Sequence, residues 1–412
     1  MAITRRIFMH RGALALASTA AVPAFLTRAM WASDEALAGN KRLVVIFMRG
    51  AADGLNIVVP HGEASYYSMR PTIAIPRNSV IDLDGFFGLH PSLSALKPLW
   101  DQKHLAFVHA AGSPDPTRSH FDAQDYMESG TPGRKSTPDG WLNRSLREAS
   151  ISGKPSPFRA VSMGGHLPRI LSGGVAAVAM GDIDQFGVGA RNPAAAPMAN
   201  TFEAMYAQSA DTVLHGTGKE TFDAVKMLRS AKRANYVPDA VYPRGPLGNS
   251  LSQLAQLIKL NLGVQVAFAD VEGWDHHVNE GSVQGQLGLR LADLAGSISA
   301  FWKDLGDLAS ETVVVTMSEF GRTARENGSR GTDHGHANVM MVLGGPVRGG
   351  KVYGRWPGLS PEHLNDGRDL ALTTDFRTVL GEMIREHLAT RDLAAVFPGF
   401  ANDERSFLRL LR

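Results

Sequence analysis

The segment Leu43–Met48 reads Leu-Val-Val-Ile-Phe-Met, and residues 49–56 directly after it read Arg-Gly-Ala-Ala-Asp-Gly-Leu-Asn. A short apolar run without strict alternation predicts a strand that is covered on both faces, as in a parallel sheet. The polar segment that follows puts charged side chains at the point where this strand ends. Five more apolar runs of this kind occur along the chain: Leu105–His109, Phe158–Ser162, Val264–Ala269, Thr312–Met317 and Val339–Leu343.

Segments with helical periodicity separate these runs. Apolar residues recur every three or four positions, with Ser, Thr or Asp near the start, in Leu251–Leu262, Gln286–Leu308 and Phe376–Ala389. Strands that alternate with helices predict an α/β fold, a three-layer α/β/α sandwich around a mostly parallel sheet. In such a fold the active residues are expected at the carboxyl ends of the strands.

The segment from about residue 181 to residue 246 has a different composition. It contains loops rich in Ala, Asn and Pro, two polar helical stretches at Thr201–Gln208 and Lys219–Ala234, and no convincing strand. We interpret it as a helical insertion or cap within a single domain of residues 39–412.

The amino-acid composition excludes several classes of protein and of functional site. The 412 residues are 44% hydrophobic and 20% charged, which is typical of a globular protein with a sizeable core and excludes a disordered chain. Residues 1–38 hold four of the 42 basic and two of the 40 acidic residues, so the remainder is balanced at 38 of each, and nothing indicates nucleic-acid binding. The chain has no Cys, which excludes disulfides, thiolate metal sites and a Cys nucleophile. Any metal must therefore be held by oxygen and imidazole.

The N-terminus is typical of an export signal. Arg5 and Arg6 precede a short, weakly apolar stretch, Gly12–Leu26, and Arg28 lies behind it. This pattern predicts a twin-arginine signal peptide over residues 1–38; an ordinary secretory signal or an amphipathic helix are the alternatives. We therefore expect a periplasmic or extracellular protein that uses the twin-arginine export machinery. No other stretch is long enough to predict a membrane span.

Histidines and carboxylates gather directly after the predicted strands and before the last one. Because the carboxyl ends of parallel strands share one edge of the sheet, these segments are expected to meet there. Carboxylate and imidazole ligands without sulfur fit a divalent metal, Zn or Mn first and Mg or Ca as alternatives. The candidate segments are 49–56, 113–122, 273–279, 318–323 and 331–338.

Each candidate also has a structural interpretation. Asp53 with Gly54 is a common turn sequence. Glu319 could pair with Arg322, and Ser119 could be only the N-cap of the helix that begins at residue 120.

In combination, the motifs Ser119-His120-Phe121, Gly273 to His277, Ser318 to Thr323 and Asp333 to Asn338, with the twin-arginine leader, resemble the exported family known as domain of unknown function 1501. The resemblance covers essentially the whole mature chain. It extends, more distantly, to the alkaline phosphatase and sulfatase superfamily. Members of that superfamily bind metals at strand ends and attack phosphate or sulfate esters with a Ser or Thr.

The resemblance implies a role for each candidate. Metal ligands would be Asp53, Asp275, His277, Glu319, His334 and His336. The nucleophile would be Ser119, with Thr117 as the alternative, and Arg118 or Arg322 would hold a non-bridging oxygen of the substrate. Phe320 stands where the superfamily has a further His, and Pro114 stands where a formylglycine sulfatase needs Cys or Ser.

The sequence thus predicts a metal-dependent hydrolase or transferase that acts on a small-molecule or polymeric phosphate or sulfate ester. The missing imidazole at Phe320 favours an alternative, a non-catalytic binding or assembly protein that keeps the fold.

Overall fold

The predicted strands assemble into one central sheet in a computed structural model, which describes residues 41–149, 155–183, 227–228, 236–401 and 403–412. The predicted signal over residues 1–38, the stretch Thr201–Gln208 and most of the predicted insertion lie outside these residues.

The described residues contain twelve strands. They are β1 (Arg42–Met48), β2 (Val58–Val59), β3 (Ile81–Asp82), β4 (Gly88–Leu89), β5 (Leu105–Gly112), β6 (Ala160–Ser162), β7 (Val178–Ala179), β8 (Val266–Val271), β9 (Thr312–Met317), β10 (Asn338–Gly344), β11 (Lys351–Tyr353) and β12 (Thr374–Asp375).

They also contain nine α-helices. These are α1 (Gly54–Ile57), α2 (Ala64–Met69), α3 (Lys97–Asp101), α4 (His120–Ser129), α5 (Trp141–Glu148), α6 (Pro246–Lys259), α7 (Gln286–Leu305), α8 (Phe376–Glu382) and α9 (Leu393–Val396). A π-helical turn, Met383–His387, continues α8, so the predicted helix over Phe376–Ala389 changes its hydrogen-bonding pattern halfway. Gly306, at φ +54°, ends α7 three residues before the predicted boundary.

The main sheet has nine strands in the order β11-β5-β10-β9-β1-β8-β6-β7, with β12 paired to β5. Strands β2, β4 and β3 form a small separate sheet. Every pairing in the main sheet is parallel except those of β10, which runs antiparallel to both β5 and β9. The prediction of a mostly parallel sheet is therefore confirmed, and β10 is its one reversed strand among the described residues.

Helices cover both faces of this sheet, which confirms the three-layer sandwich. Val44, Ile46 and Met48 of β1 pack in one buried cluster with α6 and α7. The alternate residues of β1 pack in a second cluster with α5 and α8. Since successive side chains of a strand point to opposite faces, a run with no polar alternation is what two covered faces require.

Across the described residues we find no helix with the length and apolar character needed to cross a bilayer.

His109, in the middle of β5, is a buried neutral imidazole. Its Nε2 donates to the Val58 carbonyl at 2.9 Å, its Nδ1 accepts from the Ala110 amide at 2.9 Å, and its ring stacks on Phe87. Burial lowers the pKa of His109 to about 4.

This pKa predicts a defined acid sensitivity. In the unfolded chain the pKa of a histidine is about 6.5, so folding disfavours protonation of His109 and stability is lost as the pH falls from there to about 4. The loss from this one group is expected to reach roughly 3 kcal/mol. In urea unfolding at pH 7 and pH 4.5, His109→Gln should lose less stability on acidification than the wild type. An equal loss in the two proteins would contradict the assignment.

Candidate metal centre

The carboxyl edge of the sheet gathers five loops. Four follow β1, β5, β8 and β9, and the fifth precedes β10. Because β10 is antiparallel to its neighbours, its amino end lies at the edge where the other strands end. The reversal of this one strand therefore brings residues 331–337 to the same place as the other four loops.

Three side chains from three of these loops converge on one point. The ligand atoms of His120, Asp275 and His334 all lie within 4.8 Å of one another. His120 Nε2 is 3.0 Å from His334 Nε2 and 3.5 Å from Asp275 Oδ2. His277 joins them, with its Nε2 3.0 Å from both His334 Nε2 and Asp275 Oδ1. We call these four residues the His–Asp cluster.

The other ring nitrogen of each histidine faces an acceptor. His120 Nδ1 is 2.8 Å from Glu319 Oε1, His334 Nδ1 is 2.8 Å from the Arg118 carbonyl, and His277 Nδ1 is 3.2 Å from Asp333 Oδ1. A carbonyl or carboxylate oxygen can only accept, so each Nδ1 carries the proton. In the neutral rings the Nε2 atoms of His120 and His277 then each present a lone pair toward His334 Nε2.

Such an arrangement fits a divalent cation. Facing lone pairs 3.0 Å apart repel, and a shared cation converts the repulsion into coordination. Metal-binding histidines characteristically donate their second N–H to a carboxylate or carbonyl, which fixes the tautomer and the ring orientation. Three imidazoles and one carboxylate suit Zn or Mn better than Mg or Ca.

Glu319 lies behind the cluster rather than in it. Its side chain is fully buried, and Oε1 accepts from His120 Nδ1, the Gly50 amide and Gln124 Nε2, each at 2.8 Å. Burial opposes its ionisation, but these hydrogen bonds outweigh burial and keep the pKa of Glu319 below its usual value. The expectation that Glu319 is a direct ligand differs from this geometry, in which it orients His120.

Arg322 connects several of these loops through hydrogen bonds. Its guanidinium is buried and donates to the carbonyls of Ala51 at 2.7 Å, Gly50 at 3.2 Å, Trp274 at 3.2 Å and Thr332 at 3.3 Å. It also donates to Asp275 Oδ1 at 2.6 Å. Its side chain has no exposed surface, so in this geometry Arg322 holds Asp275 in position, whereas the sequence-based expectation gave it a substrate oxygen.

Two glycines allow the loops to approach this closely. A Cβ on Gly50, at φ +116°, would stand 2.8 Å from the Asp275 amide nitrogen. A Cβ on Gly321 would meet the Ala337 carbonyl oxygen at 1.9 Å. Side chains at these positions would push apart the loops that carry the cluster.

Asp53 lies outside the cluster. It is 2% exposed and forms a two-pronged ion pair with the buried Arg70, whose Nη2 is 3.0 Å from Asp53 Oδ1. Glu280, also fully buried, accepts from Thr332 Oγ1 at 3.0 Å. Burial, followed by the charge of Asp53, raises the pKa of Glu280 well above its usual value.

Ser119 is exposed at the rim of the cluster. It is the N-cap of α4, as predicted, but its hydroxyl makes no capping hydrogen bond. The residues on either side both contact His334, through the Arg118 carbonyl and the His120 ring. Thr117 precedes this segment, and its Oγ1 accepts a hydrogen bond from the Ser119 amide at 3.3 Å.

The side chains of the other two predicted residues, Arg118 and His336, are not part of the His–Asp cluster. Arg118 donates to Asp369 Oδ2 at 2.6 Å, and its side chain is 33% exposed. His336 is half-buried, outside the group of converging ligand atoms, and burial lowers its pKa. Phe320 packs against the rings of His120 and His334, at 5.0 Å from each.

His120 is a candidate ligand that the sequence-based prediction did not include. The sequence pattern predicts only that residue 120 is the first position of a helix, next to a candidate nucleophile. A histidine that directly follows a strand-end loop and opens a helix was the available signal, because the side chain of such a residue can turn back toward the strand ends.

The cluster's pKa shifts have separate causes. The hydrogen bond to Glu319 is the main reason why the pKa of His120 is raised, whereas burial lowers that of His334. Burial works against ionisation of Asp275, but the hydrogen bond from Arg322 outweighs it and the pKa is lowered.

The sequence profile of the family described as "Protein of unknown function (DUF1501)" matches residues 40–386. The chain belongs to this family. The predicted resemblance is thereby confirmed, and the match spans all five loops of the candidate centre in this DUF1501 protein. No curated protein matches the sequence.

Three solved structures are similar to this DUF1501 chain at low identity. The sulfatase PsFucS1 from Pseudoalteromonas sp. is 14% identical, with 78% of this chain and 66% of that chain covered and a TM-score of 0.35. The lipoteichoic acid synthase LtaP from Listeria monocytogenes is 10% identical, with coverages of 78% and 68% and a TM-score of 0.31. The phosphonate monoester hydrolase of Agrobacterium radiobacter is 11% identical, with coverages of 88% and 78% and a TM-score of 0.36.

Proposed function

We propose that this DUF1501 protein is an exported, metal-dependent hydrolase or transferase of phosphate or sulfate esters. The observation that carries the proposal is the convergence of His120 Nε2, His334 Nε2 and the Asp275 carboxylate, with His277 Nε2 3.0 Å from both His334 Nε2 and Asp275 Oδ1. Each imidazole is held by an acceptor on its far side. His120, Asp275, His277 and His334 are the ligands. A divalent cation held there supplies a Lewis acid that polarises an ester oxygen and lowers the pKa of a hydroxyl group.

Ser119 is the proposed nucleophile. It lies between two residues that contact His334, its side chain is exposed, and it stands at the N-terminus of a ten-residue helix. The partial positive charge of that helix end favours the alkoxide form and any negative charge that develops nearby. Thr117 remains the alternative, since its hydroxyl is close to the Ser119 amide.

A shallow cleft of about 220 Å³ beside the cluster offers room for the ester group. Its lining includes His120 and Asp275 from the cluster, together with Arg49 and Glu272. The Arg49 guanidinium is already paired with Asp270, Gln124 and Glu128, so it shapes the wall rather than binding an anion. Of Arg118 and Arg322, only Arg118 has exposed surface on its side chain, and it is paired with Asp369.

The alternative is a non-catalytic binding or assembly protein that keeps the metal site. Phe320, which packs on two of the ligand rings where the superfamily has an imidazole, is the observation that favours it. The two functions predict different effects of Ser119 substitutions on ester hydrolysis.

Substitutions at Ser119 test the proposal. We expect Ser119→Ala and Ser119→Asp to retain bound metal and melting temperature, because no capping bond is lost, while hydrolysis falls by roughly three orders of magnitude or more. Ser119→Thr keeps the oxygen and should retain partial turnover. The rates would be measured on phosphomonoester, phosphodiester and sulfate-ester probes.

Thr117→Val is the matched control in this series and should remain active. Full activity of Ser119→Ala together with an inactive Thr117→Val would transfer the role to Thr117. A metal-loaded wild type that hydrolyses none of the probes would favour the binding protein.

The export part of the proposal rests on Arg5 and Arg6 in the predicted twin-arginine signal. Replacing both by Lys preserves their charge but removes the guanidinium pair, so we expect the protein to accumulate unprocessed in the cytoplasm. Cell fractionation of a host with a twin-arginine system measures this. Export of the double variant at the wild-type level would contradict it.

A further inference from the structure

The buried group around Asp53 bears on the number of metal ions that this edge of the sheet can bind. The resemblance implied that Asp53 binds a metal ion. In the structure its partner is Arg70, which is also fully buried. Glu280 is the third ionisable member of the group, since it is buried and interacts electrostatically with both Asp53 and Arg70. We call these three residues the Asp53 group.

Arg70 has an acceptor for each of its five N–H bonds. Nη1 donates to Asp53 Oδ2 and to Asn56 Oδ1, and Nη2 donates to Asp53 Oδ1 and to the Thr323 carbonyl. Nε donates to the Ala324 carbonyl at 2.9 Å. A guanidinium that is satisfied in full and paired with both oxygens of a carboxylate is a fixed part of the core.

A metal ion does not fit beside Asp53. Both of its carboxylate oxygens are engaged, and a divalent ion placed against them would face the positive charge of Arg70 in a buried site, where solvent screens charges poorly. The donors required by a metal are thus occupied by a cation that the chain itself supplies.

We propose that each chain binds one divalent cation, in the His–Asp cluster, and that Arg70 permanently fills the position of a second cation by pairing with Asp53. The inference rests on the proposed metal centre and adds its stoichiometry. It also identifies the Asp53 group as a dormant oxygen site. Removing the arginine would leave oxygens of Asp53, Asn56 and Glu280 around a cavity, a donor set that suits Mn²⁺ or Ca²⁺.

Metal stoichiometry tests the proposal. Full-length mature protein is loaded with Zn²⁺ or Mn²⁺, desalted, and analysed for metal per chain by mass spectrometry. The expected value is one for the wild type and zero for His334→Ala. Two ions in the wild type would overturn the inference and leave the metal centre standing, whereas none in the wild type would overturn the centre as well.

A double variant distinguishes whether Asp53 is a metal ligand or only the ion-pair partner of Arg70. Asp53→Leu combined with Arg70→Leu removes both charges of the ion pair together, so neither Asp53 nor Arg70 is left as an unpaired buried charge. We expect it to keep one ion with unchanged affinity. If Asp53 were a metal ligand, the double variant would bind fewer ions than the wild type.

Arg70→Ala tests the dormant site by a different measurement. Its melting temperature should rise with millimolar Mn²⁺ or guanidinium, because each replaces the missing cation and binds the folded state. The double variant, which lacks the carboxylate, should show no such rise. An Arg70→Ala protein that responds to neither cation would overturn the assignment of Arg70 as a cation substitute.

Discussion

His334→Ala should abolish stable metal binding, with affinity lower by well over 100-fold. Loss of a residue that merely supports a ligand costs about 10- to 100-fold, and loss of a ligand is expected to cost more. His334 Nε2 lies within 3.3 Å of His120, His277 and Asp275, so its removal leaves the other three without their common neighbour. Isothermal titration with Zn²⁺ measures the change.

His336→Ala is the matched control for this variant. It removes an imidazole two residues away, on the same loop, from a half-buried position outside the cluster. We expect it to bind metal with nearly wild-type affinity. The ligand assignment would be wrong if the two variants lost metal equally, or if His336→Ala lost more.

Arg70→Met should lower the free energy of unfolding by about 3–5 kcal/mol. Methionine fills much of the space but leaves Asp53 as a buried carboxylate without its counterion, and it frees the carbonyls of Thr323 and Ala324. Breaking a buried pair by removing one partner is costly because the remaining charge is uncompensated. Urea unfolding of the apo-protein measures the loss.

Arg77→Met is the control for this prediction. Arg77 is an exposed arginine in the segment that follows Arg70, with its guanidinium over the Tyr67 ring. Its replacement should change stability by no more than about 0.5 kcal/mol. A similarly small effect of Arg70→Met would contradict the account of the Asp53 group.

The sequence was sufficient to predict much of the fold. Thr312–Met317 was predicted with the bounds that the structure has, and the other five predicted strands agree with the structure to within three residues at each end. Strands β7, β11 and β12 of the same sheet were not predicted. Continuous apolar runs are informative because both faces of this sheet are covered. The direction of β10 was not predictable, because an antiparallel strand inside a covered sheet has the same apolar pattern as a parallel one.

The loops that form the candidate site could be predicted from the sequence. The role of each side chain within those loops could not. Asp275, His277 and His334 come together because their loops share one sheet edge. Glu319 and Asp53 look equally like ligands in the sequence. Their partners, His120 and Arg70, are separated from them by 199 and 17 positions, and no local pattern indicates either pairing.

Anomalous diffraction from crystals of the Zn²⁺-loaded protein tests the central claim most directly. We expect one strong peak per chain, bonded to the Nε2 atoms of His120, His277 and His334 at about 2.0–2.1 Å and to a carboxylate oxygen of Asp275. Glu319 should remain hydrogen-bonded to His120, outside the coordination sphere. A peak bonded to Asp53, or the absence of a peak among these residues, would contradict the account.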